Sequence, residues 1–415
     1  MVERRWLKLW GKEIAARALA AARFPEINAA RQRIALGGRR LLVVSFHRVV
    51  ESYAQEVQRA IPGLLISQAA LRRQLEQIAR RYEVVPLGRA LEELRWLRRG
   101  SDLAAITFDD GYADVHDVAL PVLRSLKIAS TVFLATGFVG TDRRMPHDRL
   151  FAALQAVLDR RGAPLGLPAG PARESVERFV QSRMDAAATV DALLARLPER
   201  PLLELIETLE RRAGLTLADL PAGSRLLSWK MAQELEREGH AVGAHTVHHR
   251  VLPNLPLASV REELEASRRA IFENVGVWPT DFAYPNGWYN RRVVAEVVAA
   301  GFHCAVTTEA RFNGPGGDPF RLGRYTLWEG SSLGPAGYSD AIAARQLDGS
   351  FSALGIPRVV CGQALEQPFP TVEEALEPAA LERGPGWLPA RRRMHSFPRP
   401  EGADAGCDGS LPIGP

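Results

Sequence analysis

Two short stretches some 135 residues apart hold the side chains of this chain best suited to chemistry: Thr107-Phe108-Asp109-Asp110-Gly111-Tyr112 and His245-Thr246-Val247-His248-His249. Asp109 and Asp110 follow the apolar run Leu103-Ala104-Ala105-Ile106, which reads as a buried strand, and Gly111 breaks the chain straight after them. Paired acids at the mouth of a buried strand carry a desolvation cost that a cation would offset. The second stretch follows another strand-like run, Ala241-Val242-Gly243-Ala244. His245 and His249, four apart, face the same way if that segment takes a helical turn. One carboxylate and two imidazoles form a borderline-hard donor set that suits zinc or a similar divalent ion, with positions left open for water and substrate. A spare carboxylate then stands beside the metal. Alone, an Asp-Asp-Gly sequence is more often a strand-to-turn junction. Finding both stretches in one chain, each after an apolar run, favours a hydrolytic metal centre. His248 is one residue off the facing pair, and His240 reads as stabilising the turn into its strand.

A third stretch, Phe282-Ala283-Tyr284-Pro285-Asn286-Gly287, completes a set in a known order. With it the chain resembles the polysaccharide deacetylases, the NodB-homology or carbohydrate esterase family 4 proteins, over roughly residues 40 to 330. The resemblance implies that Asp109 is the general base, and that Asp110, His245 and His249 ligate a divalent metal, most readily Zn2+. Tyr112 stands where the family supplies a backbone N–H to the oxyanion. The implied activity is removal of N-acetyl groups from a GlcNAc-containing polysaccharide or oligosaccharide intermediate, with a carbohydrate as the only partner demanded.

The chain departs from the family pattern twice. The usual general-acid His follows a Leu-rich strand near the end of the domain, yet downstream of His249 only His303 and His395 remain, and neither follows such a strand. His47, closing the strand-like Leu41-Leu42-Val43-Val44-Ser45-Phe46, is the substitute. Exopolysaccharide-modifying members, read as circularly permuted, carry a His-Arg-Val in that place. The third motif also lacks the Arg that pairs with the base, since Pro279-Thr280-Asp281 precede Phe282. Arg321 or Arg324 would have to reach in from elsewhere. Tyr284, Trp288 and Tyr289 are either core packing or a stacking platform for sugar rings, and the Gly-Trp-Tyr-Asn turn tips Trp288 towards stacking.

The elements that must position these residues alternate along the chain. Ser67 caps a helix carrying Leu71, Leu75 and Ile78, Val84-Val85-Pro86-Leu87 reads as a short strand, and Ser130 to Leu134 as another. Residues 141–225 break the rhythm with helix-period apolar positions such as Leu150, Leu154 and Val157. They read as a helical insertion. Ser228 caps the next helix, and Cys304-Ala305-Val306-Thr307 forms a late strand. Repeated βα units predict an α/β fold, a deformed (β/α) barrel of about seven parallel strands with catalytic residues at the strands' C-terminal ends. The expected organisation is a basic amphipathic helical segment over 1–40, a barrel over 41–335, and a poorly structured extension over 336–415.

Composition bounds the rest. A chain of 415 residues that is 46% hydrophobic can bury a sizeable core. Cys304, Cys361 and Cys407 show no pairing pattern. Residues 1–40 hold seven more basic than acidic side chains, against +5 for the whole chain, so the remainder is slightly acidic. Trp6, Leu7, Trp10, Ile14 and Leu19 stand among those basic residues. Residues 1–25 therefore read either as a helix packed on the barrel or as one lying on an anionic membrane surface. Nucleic acid is not expected, because no recognition motif accompanies the charge. Lys8, Lys12 and Arg17 interrupt any signal-peptide core, and no apolar run spans a membrane, so the expected location is cytoplasmic or at the inner membrane face. Two other functions compete: a non-hydrolytic carbohydrate-binding or scaffold protein that lost catalysis with the missing Arg, and a small-molecule amide hydrolase on the same fold.

Overall fold

Strands buried on both faces read as continuous apolar runs, and parallel pairing between them requires helical crossovers. Both features are realised here. The computed structural model describes residues 2–96, 100–159, 167, 170–182 and 185–356. Its main sheet contains β1 (Leu41–Phe46), β2 (Leu103–Phe108), β3 (Thr131–Leu134), β4 (Ala241–Ala244), β5 (Asp281–Ala283), β6 (Cys304–Val306) and β7 (Tyr325–Thr326). These seven run in the order β7-β1-β2-β3-β4-β5-β6, every neighbouring pair parallel, and Glu83–Val84 flanks the start of β2. The chain leading into β7 first bonds to β6: Leu322 N–H donates to Ala305 O at 3.0 Å, and Thr307 N–H donates to Leu322 O at 2.8 Å. The same segment then pairs with β1, which curls the sheet into a deformed (β/α) barrel. On one side Leu42, Val44, Ile106 and Phe108 pack on Leu71, Leu75 and Ile78, while Leu41, Val43 and Ala105 meet Leu87, Ala90 and Leu94 on the other. Ser67 caps its helix as predicted, its hydroxyl accepting from Ala70 N–H.

Among the described residues between β3 and β4, four helices, Pro146–Asp159, Pro171–Ser182, Ala186–Arg196 and Glu199–Ala213, precede the helix Trp229–Arg237. They bury their own apolar cluster, in which Leu150, Leu154, Phe179, Val190, Ile206 and Leu209 meet.

The N-terminal segment forms two helices, α1 (Val2–Ala21) and α2 (Phe24–Leu36), separated at Arg23, whose φ is +52°. α1 packs Ala16 against Ile342 and Phe351, its Glu13 accepts from the Ser339 hydroxyl, and Lys12 donates to Ser331 O at 2.9 Å. α2 is tied to the barrel by Asp102, which takes two hydrogen bonds from Arg33, each at 2.9 Å, and three from Arg40, at 2.7 and 2.9 Å from its guanidinium and 3.1 Å from its backbone N–H. Trp6, Leu7, Trp10 and Ile14 remain exposed on α1, the two indoles edge to face at 5.5 Å.

Irregular chain was expected from residue 336, and this needs correction. Gly337–Tyr338 pairs with Leu333–Gly334, and Asp340–Leu347 is a helix with Ile342 and Leu347 fully buried. Those apolar residues are sparse in sequence because their partners, α1 and the helix Gln68–Ala79, lie hundreds of residues away, so no local period announces them. Residues 357–415, the rest of the expected poorly structured extension, lie outside the described residues.

Candidate active site

Parallel register brings the chemistry together. Phe46 is level with Phe108, Leu134 with Ala244, and Ala244 with Phe282. Residues that follow these strands therefore emerge at one end of the sheet. His47 follows β1, Asp109 and Asp110 follow β2, His245 follows β4, and Arg324 immediately precedes β7. The turn between His245 and His249 is not the helical one that their spacing suggested. Thr246 and His249 are both left-handed, with φ of +65° and +55°, and the Thr246 hydroxyl accepts from His249 N–H at 2.9 Å. Asp110 is left-handed too, at +70°. Such conformations are uncommon outside glycine and cluster where function holds them.

Asp110 and the two imidazoles form one cluster. The Nε2 atoms of His245 and His249 lie 3.5 and 3.3 Å from Asp110 Oδ1, and their rings meet at 4.7 Å. His245 is oriented by Nδ1–H donating to Ala283 O at 2.7 Å, which leaves Nε2 free for the cluster. Asp110 Oδ1 is buried with no hydrogen-bond partner among the described residues, an orphan acceptor aimed between two imidazoles. One donor atom from each residue falls within 4.8 Å of the others. Burial opposes ionisation of Asp110, but His249 and His245 hold its carboxyl far below the carboxylate range. Burial drives His249 down to about 3 against the pull of Asp110, so its ring is neutral, as a ligand must be. The orphaned oxygen and the donor set fit a divalent cation.

Asp109 has the opposite surroundings. Arg324, fully buried, grips it with both terminal guanidinium nitrogens at 2.7 Å, while its Nε donates to Thr307 O at 2.8 Å. Burial opposes the charge, yet Arg324 holds the Asp109 carboxyl below the ordinary range. The guanidinium absent from the third motif is thus supplied by the segment entering β7, which removes the motive for a scaffold that has lost its catalytic pair. Arg321 instead donates to the Tyr289 hydroxyl at 3.0 Å near the surface. His47 Nε2 lies 3.8 Å from Asp109 Oδ2, and its Nδ1 is buried without a hydrogen-bond partner among the described residues. Burial pushes the His47 ring down against the pull of Asp110 and Asp109.

The remaining sequence candidates divide. Tyr112 is buried, its hydroxyl donating to Asp148 Oδ2 at 2.9 Å and lying 2.7 Å from His147 Nε2. Tyr284 is not placed as a sugar platform. Its ring is buried on Phe282 and Tyr289, and its hydroxyl donates to Phe320 O at 3.0 Å, because the strand alternation turns it into the core. Trp288 is half-buried in the loop after β5. His248 turns away and pairs with Glu263 at 2.8 Å, and His240 bonds Ser130 at the turn into β4. Sequence reasoning missed two residues here. Glu263 accepts from the backbone N–H groups of Val247 and His248 at 2.8 and 2.9 Å and so fixes the histidine loop. His147 comes from the first turn of the insertion, 3.9 Å from Asp110 Oδ2, and its only local signal was the Pro146-His147-Asp148 run.

A family profile described as polysaccharide deacetylase matches residues 98–305. Among solved structures, IcaB from Ammonifex degensii is similar at 20% identity, covering 75% of this chain and 98% of that one, with a TM-score of 0.48. The deacetylase PplD of Streptococcus pyogenes, solved in complex with acetate, is 14% identical over 72% of this chain and 96% of its own, with a TM-score of 0.47. The uncharacterized protein YlxY of Bacillus subtilis (strain 168) is 28% identical over 65 residues, 16% of this chain. The match spans 20% of the length of that curated relative.

Proposed function

The chain belongs to the polysaccharide deacetylase family, and on that premise we propose that it is a metal-dependent hydrolase removing N-acetyl groups from a GlcNAc-containing polysaccharide or oligosaccharide. The observation that carries this reading is the contrast between adjacent carboxylates, one neutralised by Arg324 and one left open between two imidazoles. Asp110, His245 and His249 would hold the cation, and their mixed nitrogen and oxygen set suits Zn2+ best. Such an ion supplies Lewis acidity to the acetamide carbonyl and to water. Asp109, kept ionised by Arg324, takes the proton of the attacking water. The backbone N–H of Tyr112 donates to the oxyanion. The C–N bond then breaks, His47 gives a proton to the departing amine, and acetate leaves. His47 after the first strand supports the exopolysaccharide-type assignment.

The test is acetate release from short N-acetylglucosamine oligomers, with elemental analysis of the purified protein. Acetate formed in proportion to bound metal supports the proposal. Metal without turnover on any N-acetyl sugar would return it to a binding protein, and turnover confined to simple acetamides would make it a small-molecule amidase.

Among the described residues no helix is long and apolar enough to cross a membrane. Trp6, Leu7, Trp10 and Ile14, exposed on a basic segment, support peripheral contact with an anionic membrane through residues 1–25, on its inner face.

A further inference from the structure

His147 has no task in the reaction above, yet it is buried against the metal-ligand cluster. Its ring meets that of His249 at 5.6 Å, edge to face, and its Nε2 lies 2.7 Å from the Tyr112 hydroxyl oxygen and 3.9 Å from Asp110 Oδ2. The Tyr112 hydroxyl is also 2.9 Å from Asp148 Oδ2. A phenol has one proton, and a carboxylate is the stronger acceptor. Tyr112 therefore donates to Asp148, and its oxygen is left to accept from His147. That assignment puts the ring proton on Nε2. A protonated Nε2 cannot bind a metal; its single proton is taken by the Tyr112 oxygen at 2.7 Å, and Asp110 Oδ2, 3.9 Å away, meets only the edge of the ring so held.

Asp110 offers two oxygens in unlike settings. Oδ1 faces the imidazoles of His245 and His249, whereas Oδ2 faces His147. Asp110 also sits in a left-handed conformation, where a side chain needs its surroundings to hold it. We propose that His147 is a positioning residue for Asp110: its ring, locked by the hydrogen bond from Nε2–H to the Tyr112 oxygen, occupies the side of Oδ2 with an edge that cannot ligate, so that Oδ1 is the oxygen turned to the cation. His147 and Asp148 both come from the first turn of Pro146–Asp159, so the helical insertion is built into the active site rather than appended to it. This rests on the metal reading above.

The test measures Zn2+ and Co2+ affinity by competition with a chromophoric chelator, without reference to turnover. His147→Ala should weaken binding 10- to 100-fold, the usual range for losing a group that orients a ligand. His147→Gln, whose amide N–H can donate to the Tyr112 oxygen from nearly the same place and so hold the side chain beside Oδ2, should recover most of that loss. Tyr112→Phe removes only a hydroxyl from an otherwise retained ring and should give a smaller loss in the same direction. Affinity in His147→Ala equal to wild type overturns the proposal. So does His147→Gln binding as poorly as His147→Ala while Tyr112→Phe binds normally, which would make His147 a ligand. A wild-type chain that binds neither ion overturns the metal reading itself, a result separable from both.

Discussion

Asp109 and Asp110 are consecutive, equally buried and chemically identical, yet the two sides of the site they serve are built on opposite principles. On the Asp109 side a permanent cation, Arg324, is held by two hydrogen bonds of 2.7 Å. On the Asp110 side, among the described residues, imidazoles approach no closer than 3.3 Å and Oδ1 has no hydrogen-bond partner. A buried carboxylate needs a countercharge. The first has one inside the protein, which keeps it ionised for its proposed role as base. The second lacks one, which suits its proposed role as a metal ligand. Role follows from the partner, not from the residue.

Substitutions can break this contrast, and the largest effects fall at its centre. His245→Ala should abolish metal binding by elemental analysis and activity with it; normal occupancy would sink the ligand assignment. Asp109→Asn should keep its metal while turnover falls roughly 10²–10⁴-fold, the range for losing a general acid–base group. Loss of metal in that variant would show that both carboxylates share the ion.

His47→Ala should cost a similar factor on N-acetyl sugars, again with metal retained. An aryl acetate ester, whose leaving group needs little protonation, should be hydrolysed nearly normally. Equal impairment of ester and amide would make His47 structural.

Arg324→Met leaves Asp109 charged and unpaired. Breaking a buried pair in this way costs about 3–5 kcal/mol, read from denaturant unfolding. The double variant Arg324→Met/Asp109→Asn, with no stranded charge, should recover much of it. Additive losses would mean that the pair is not the source of the effect.

Two smaller effects lie outside the site. Trp6→Ala/Trp10→Ala should lower co-sedimentation with anionic vesicles and leave hydrolysis of soluble oligomers unchanged; unaltered sedimentation would restore the plain packing helix. Burial opposes charge on Asp102, but Arg33 and Arg40 hold its carboxyl below the ordinary range. Its stabilisation is therefore complete above the unfolded pKa of about 4 and lost as pH falls through the folded value. The melting temperature of wild type should drop more steeply below pH 4 than that of Asp102→Asn, and parallel curves would contradict this.

What the chain determined by itself is local. Leu103–Phe108 reads as a buried strand because apolar side chains run along both faces, and an Asp-Asp-Gly at its end marks where backbone and charge leave the core. Ser67 and Ser228 announce helix starts because a cap is made within three residues. The proposed ligands and base were legible for the same reason, since each motif is a continuous stretch. Only tertiary structure decided how they are served. Arg324 meets Asp109 across 215 residues, His147 meets Tyr112 across 35, and Ile342 finds Ala16 across most of the chain. Such pairings depend on sheet closure and strand register, which are set by the packing of the whole barrel. They leave no periodic trace in the segments they join. Tyr284, left open in sequence between core packing and a sugar platform, was decided by strand geometry, which turned its ring into the core.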